Sequence, residues 1–176
     1  MQALLSLLRR FFEWITGRRP RPRPAPVPAL QCTNYQAQVA GYGMNPTGCA
    51  GGTITVFDSQ GNLMNYGGGA PRTRVKQEGT PGAPLAHEGL DCGFRTVIKP
   101  STPAMSATIE LVHYARPPVI EAIDITGAVT WHGTVSAGHG NPQIFQIAPT
   151  ATPDPIAEIV ISPPSDETLL LEICLP

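Results

Sequence analysis

From Gln31 to the C-terminus the chain is cut into short β-rich runs, and this punctuation limits the fold more than any other feature. The runs fall at approximately 31–39, 51–57, 62–66, 73–77, 93–99, 105–114, 118–125, 128–135, 143–148, 156–162 and 168–175. Gly, Pro, Asn or Asp separates them, and no helical period survives across the breaks. Many short strands with turn signals at this spacing predict an all-β sandwich or barrel. Side chains alternate within the runs as a half-buried strand requires. Ile109, Leu111 and His113 share one face and Glu110, Val112 and Tyr114 the other, while Leu169, Leu171, Ile173 and Leu175 are expected on a single face. The segments 40–50 and 78–92 carry no clear period and are expected to be irregular.

A chain with this punctuation still needs a core. Hydrophobic residues make up 41% of it and charged residues 14%. The charged share is well below the usual quarter, which excludes the highly charged composition of disorder. Two stretches echo one another without gaps: ITVFDSQGNLM (54–64) and IEAIDITGAVT (120–130). Each has an apolar strand, an Asp, two residues, a Gly and a second strand. Asp58 and Asp124 can cap the turns with their carboxylates, and Gly61 and Gly127 can supply positive φ. The pair reads as two ordinary hairpins, since two copies are too few for a solenoid.

The first 28 residues are built differently. At about 100° per residue, Met1, Ala3, Leu4, Leu5, Leu7, Leu8, Phe11, Phe12, Trp14 and Ile15 fall within one arc of about 200°. Gln2, Ser6, Arg9, Arg10, Glu13 and Thr16 fill the rest. Gly17 suits the C′ position, and Arg18 and Arg19 suit the negative end of the helix dipole. The pattern predicts an amphipathic helix over 1–17. The alternating prolines that follow favour extended polyproline II, a linker over 18–30 that would hold the helix roughly 30 Å from a domain at 31–176. So wide an apolar arc needs a partner. A protein groove comes first, contacted by Leu4, Leu5, Leu8, Phe11, Phe12, Trp14 and Ile15; self-assembly is second, and a membrane surface met by Arg9, Arg10, Arg18 and Arg19 is third. Packing on the domain itself is disfavoured by the spacer. The segment 1–28 holds six arginines against one acid, whereas the rest holds 12 acidic and 6 basic residues. Positive charge at one end only argues against a nucleic-acid-binding body.

The order VIEAIDITGAV, QIFQIAP, IAEIVISPP and ETLLLEICL, with the short turns between them, resembles the galactose-binding-like β-sandwich modules. These are jelly rolls found among carbohydrate-binding and adhesion domains. The likeness covers roughly 105–175 and rests on strand order and on the hairpin with Asp, two residues and Gly. It implies a jelly-roll-like β-sandwich with first and last strands side by side. That would place QCTNY next to LEICL and make Cys32 and Cys174 neighbours able to close a disulfide. No residues here match the family's usual calcium or sugar ligands.

The four cysteines, Cys32, Cys49, Cys92 and Cys174, show no CxxC spacing, so no metal or other cofactor is expected. Their even count would suit two disulfides in an oxidising compartment. The N-terminal apolar stretch, however, is interrupted by Arg9, Arg10 and Glu13, with no small-residue cleavage site, and reads as neither a signal peptide nor a spanning helix. Reduced, packed thiols are therefore the favoured reading. His132 and His139 are separated by six residues, not a metal spacing, and His113 reads as a hydrogen-bonded strand residue. Cys92 beside a histidine could mimic a nucleophilic pair, but no motif specifies one. The aromatics Tyr35, Tyr42, Tyr66 and Trp131 could line a sugar platform, with Tyr42, Tyr66 and Trp131 the stronger candidates. Together these features predict a non-catalytic accessory protein. Its helix docks into a larger assembly, such as a phage or phage-tail-like particle, and its sandwich is displayed. The alternative is a glycan-binding or adhesion module anchored by the helix. Without a recognisable signal peptide or spanning segment, the chain is expected to be made in the cytoplasm and incorporated into a particle or held at a membrane periphery.

Overall fold

The computed structural model describes residues 29–80, 82–149, 154–162 and 167–176. The expected docking helix and residues 18–28 of the linker lie outside the described residues. Thirteen strands run through the described residues: β1 (Gln31–Asn34), β2 (Gly41–Met44), β3 (Thr47–Cys49), β4 (Gly52–Phe57), β5 (Arg72–Glu78), β6 (His87–Asp91), β7 (Arg95–Pro100), β8 (Ala107–His113), β9 (Val119–Asp124), β10 (Val129–Thr134), β11 (Gln143–Ile147), β12 (Ile156–Ser162) and β13 (Thr168–Leu175). They form two antiparallel sheets. One runs β11-β8-β13-β6-β5-β2, with β1 also paired to β13, and the other runs β10-β9-β12-β7-β4-β3. The all-β reading of the sequence therefore holds in the described residues.

The inward faces of both sheets meet in one core. Ile54, Val56, Ile98, Ile120, Ile159 and Ile161 come from the six-stranded sheet, and Leu90, Ile109, Leu111, Ile147, Ile173 and Leu175 from the other. Each such side chain contributes about 1.5–3 kcal/mol on burial. The echoed hairpins close alike. Asp58 Oδ1 accepts from Gln60 N (2.9 Å) and Asn62 N (2.8 Å), and Asp124 Oδ1 accepts from Thr126 N (2.7 Å) and Ala128 N (3.0 Å). Gly61 and Gly127 sit at φ 84° and 88°, the left-handed region that the turn needs.

Several sequence expectations are corrected. Residues 62–66 form only isolated bridges, Phe57↔Leu63 and Asn65↔Arg72. Segment 40–50 holds β2 and β3, and segment 78–92 holds β6. These are short and glycine-bearing, so their local propensity is weak; pairing with β5, β4 and β13 makes them strands. On β13 the expected single face splits. Ile173 and Leu175 enter the main core together with Leu170, whereas Leu169 and Leu171 join Val112 in a second cluster flanked by Tyr114. A bulge between Leu170 and Glu172, opposite Leu111 and Glu110, shifts the alternation by one residue. The reduced-thiol reading is overturned for one pair. Cys32 stands directly opposite Cys174 across β1 and β13, and the two form a disulfide. Cys49 and Cys92 are free.

Candidate functional site

The exposed edge strand β2, GYGM, carries the most recognisable surface. Alternation sends Tyr42 and Met44 outward, and they are 57% and 82% exposed. Gly43 faces inward, where an added Cβ would lie 3.0 Å from Thr73 Oγ1. That close approach explains a glycine between two large side chains. Tyr42 pairs with Arg74 and Met44 with Arg72 on β5. The outer face of this edge therefore alternates large apolar groups with guanidinium groups.

Beside Tyr42, on the same outer face of the sheet, lies a packed charge cluster. Asp91 on β6 is wholly buried, yet it binds both Arg74 Nη2 and Lys76 Nζ (3.1 Å) and accepts from Gly93 N (3.1 Å). Lys76 also pairs with Glu78. The Arg74 guanidinium lies 4.3 Å over the Tyr66 ring. Burial opposes the charge on Arg74, but the Asp91 carboxylate outweighs it and raises its pKa. The Tyr66 phenol is pushed far up, first by burial and then by Asp91. Its hydroxyl is buried beside the Asp91 carboxylate. A fully buried carboxylate survives only when paired and hydrogen-bonded in this way.

Two recesses share Tyr42. The outer one, about 430 Å³, is lined by Tyr42, Gly43, Met44, Ala70, Pro71 and Arg72. The inner one, about 160 Å³, opens at Val39 and Tyr42 and includes Tyr35, Thr73, Val75 and Leu90. Tyr35 is 3% exposed, and its hydroxyl has no partner among the described residues. The Tyr42 ring together with Thr47 and Thr73 gives this recess a mixed aromatic and polar lining, which suits a hydroxyl-bearing ligand.

Of the expected platform, Tyr42 and Tyr66 flank the same arginine, but Trp131 does not join them. It lies on β10, at the other end of its sheet, half-buried with its ring edge-on to Phe145 (6.1 Å) against the core. The hydrophobic demand of the indole ring placed it inward. Arg74, Lys76 and Asp91 were missed, although a signal was present. In R-T-R-V-K, Arg72, Arg74 and Lys76 share one strand face and call for a counter-charge. The docking-helix residues Leu4, Leu5, Leu8, Phe11, Phe12, Trp14 and Ile15, with Arg9, Arg10, Arg18 and Arg19, lie outside the described residues.

The histidines are dispersed into structural roles. His113 is buried with its ring nitrogens 2.9 Å from Ala115 O and 3.0 Å from Ala137 O, and His87 Nε2 lies 3.1 Å from Gly140 O. His139 packs edge-on against Tyr114, and His132 is exposed. Burial, then the nearby Asp91 charge, pushes the Cys92 thiol up to about 12, and burial pushes Cys49 to about 11. A nucleophilic cysteine requires the opposite shift. No family model matches the chain, and no curated protein matches its sequence.

Proposed function

We propose that this chain is a non-catalytic, tethered recognition module. Its N-terminal helix docks into a larger assembly, a phage or phage-tail-like particle being the type that such small sandwiches decorate, and its β domain is displayed from the proline spacer. The observation that carries the displayed half is Tyr42. A large aromatic stands more than half exposed on a free sheet edge, beside the ion-paired Arg74, Asp91 and Lys76. An exposed aromatic on a paired strand, with Arg74 beside it already ion-paired, favours binding of a flat or apolar ligand face. The amphipathic arc over 1–17 supports the docking half.

We infer a jelly roll from the strand order. Taking β6–β13 alone, the first strand pairs with the last, and β7 pairs with β12. Nested first-to-last pairing of this kind supports a rolled-up hairpin, the arrangement of a jelly roll. It is compatible with the resemblance to galactose-binding-like modules.

A second reading, glycan recognition, is favoured by the recess between Tyr35 and Tyr42 with its exposed Tyr42 ring and threonine lining. The test for both is light scattering coupled to size exclusion on the full chain and on a version lacking residues 1–29, each with and without anionic liposomes, followed by a glycan array. Loss of a discrete oligomer on truncation supports docking by self-assembly. Phe12→Asp that docks normally would refute the helix anchor. An array signal abolished by Tyr42→Ala supports the glycan reading, and an array with no signal refutes it.

A further inference from the structure

Glu172 and Cys174 are two residues apart on β13 and therefore share a face of the sheet, and Cys32 lies across the ladder from Cys174. One ligand atom from each, Cys32 Sγ, Cys174 Sγ and a Glu172 carboxylate oxygen, lie within 4.8 Å of one another. Cys32 is exposed, so the cluster is open to solvent on one side, while Cys174 is 6% exposed. While the sulfurs are bonded to each other they cannot act as thiolates. A thiol reductant changes that. It delivers two electrons and two protons to the S–S bond and is itself oxidised to a disulfide. Two thiols then face one carboxylate on a rigid strand pair. Tetrahedral Zn–S bonds of about 2.3 Å set the sulfurs roughly 3.8 Å apart, a separation that neighbouring strands reach by small side-chain rotations.

We propose that Cys32, Cys174 and Glu172 form a redox-gated site for a thiophilic divalent cation of the zinc type. The cation binds only the reduced protein, displaces both thiol protons, takes two sulfurs and one oxygen from the chain, and leaves its fourth position to water. Two soft sulfurs select against magnesium and calcium. Because β1 is the strand leading in from the Arg/Pro-rich segment, the same residues clasp that entry to β13 in both states, by a disulfide when oxidised and by the cation when reduced.

The full chain, reduced with a phosphine and freed of metal, should be titrated with Co²⁺ anaerobically. Expected are a thiolate-to-cobalt charge-transfer band and tetrahedral visible bands that saturate stoichiometrically and are displaced by Zn²⁺. The oxidised protein should give neither. Glu172→Gln should weaken binding by about tenfold or more while keeping the sulfur band, Cys32→Ser should abolish it, and Cys49→Ser should leave it unchanged. Should the serine variant fail to fold, alkylation of the reduced wild type decides: Zn²⁺ should protect Cys32 and Cys174 and spare neither Cys49 nor Cys92 beyond their metal-free rates. The proposal is overturned by an absent cobalt band in the reduced wild type, by unchanged affinity in Glu172→Gln, or by alkylation of Cys32 at the same rate with and without Zn²⁺.

Discussion

The Asn45 side chain pairs with the backbone of Val56 as a neighbouring strand would. Its Nδ2 donates to Val56 O over 2.7 Å, and its Oδ1 accepts from Val56 N over 3.1 Å. Nδ2 donates as well to Met64 O over 3.0 Å. Asn45 is buried in the corner where the chain leaves β2 for β3 and crosses from one sheet to the other. The amide thus supplies hydrogen bonds that no strand there provides, and it fixes the corner carrying Tyr42 and Met44. Replacing it with Ala removes three hydrogen bonds and takes from Val56 N its side-chain acceptor, while Val56 O keeps the Met64 N–H and Met64 O keeps the Arg72 N–H. Asn45→Ala is expected to destabilise the domain by about 3 kcal/mol, read as a shift in the urea midpoint. An unchanged midpoint would mean that water replaces the amide without loss.

Asp91 should be the most sensitive charge in the protein. Removing one partner of a buried pair costs about 3–5 kcal/mol because the remaining charges stay desolvated. Asp91→Ala is expected to fall in that range, and Arg74→Met toward its lower end, since the arginine is 31% exposed. Equal, small effects from both variants in chemical denaturation would contradict the assignment of Asp91 as the centre of the cluster.

Glu110 and Glu172 stand opposite one another across β8 and β13. Burial, then the charge on Glu172, raises the Glu110 pKa. Like charges directly opposed on a ladder are destabilising by a fraction of a kcal/mol. Glu110→Gln should therefore raise the melting temperature slightly at neutral pH and low salt, with the gain shrinking as salt is added. A lowered melting temperature would show that the hydrogen bond from Gln36 to Glu110 outweighs the repulsion.

The turn aspartates set an acid limit. The Thr126 side-chain hydrogen bond, joined by backbone N–H donors, holds the Asp124 carboxyl below its usual value against a smaller opposing effect of burial. A depressed folded-state pKa adds stability that is present above the unfolded value of about 3.9 and is lost as pH falls through the folded value. Asp124→Asn keeps an acceptor for the same donors but removes the titration. Melting curves from neutral pH down to strong acid should show a flatter acid limb for this variant, and parallel limbs would rule out its contribution.

The Cys32–Cys174 bridge closes a loop of 142 residues in sequence separation. Chain-entropy reasoning gives such a cross-link about 5 kcal/mol, as an upper figure. Reduction in the presence of a chelator should lower the denaturation midpoint. The same loss in Cys32→Ser/Cys174→Ser would assign the effect to this bond, and a midpoint insensitive to reduction would show that β1 adds little to the fold.

Much of the architecture was legible wherever the local pattern and the burial pattern coincide. Runs such as ATIELVH and VIEAID alternate because one face meets the core, and both became strands. The paired Asp-x-x-Gly hairpins were legible too, because a carboxylate and a positive-φ glycine close a turn using neighbours only. β2 and β6 were not. GYGM and HEGLD have little strand propensity of their own and are held by partners many residues away. The site followed the same division. Tyr42 could be named as an aromatic, but its exposure depends on β2 being an edge, and Trp131 packs half-buried against the core beside Phe145, on a strand of the other sheet.

By itself, the sequence determined that this protein would be a many-stranded β domain with tight Asp- and Gly-closed turns, because periodicity and turn chemistry act over a few residues. Only the tertiary structure decided which faces are outward and which residues meet. The bulge at Leu170–Glu172 reversed the faces of β13, which set Glu172 and Cys174 on the face away from the main core, beside Cys32. A one-residue shift in pairing is invisible to local propensity and is selected by the packing of whole sheets, and it moves every side chain beyond it to the opposite face.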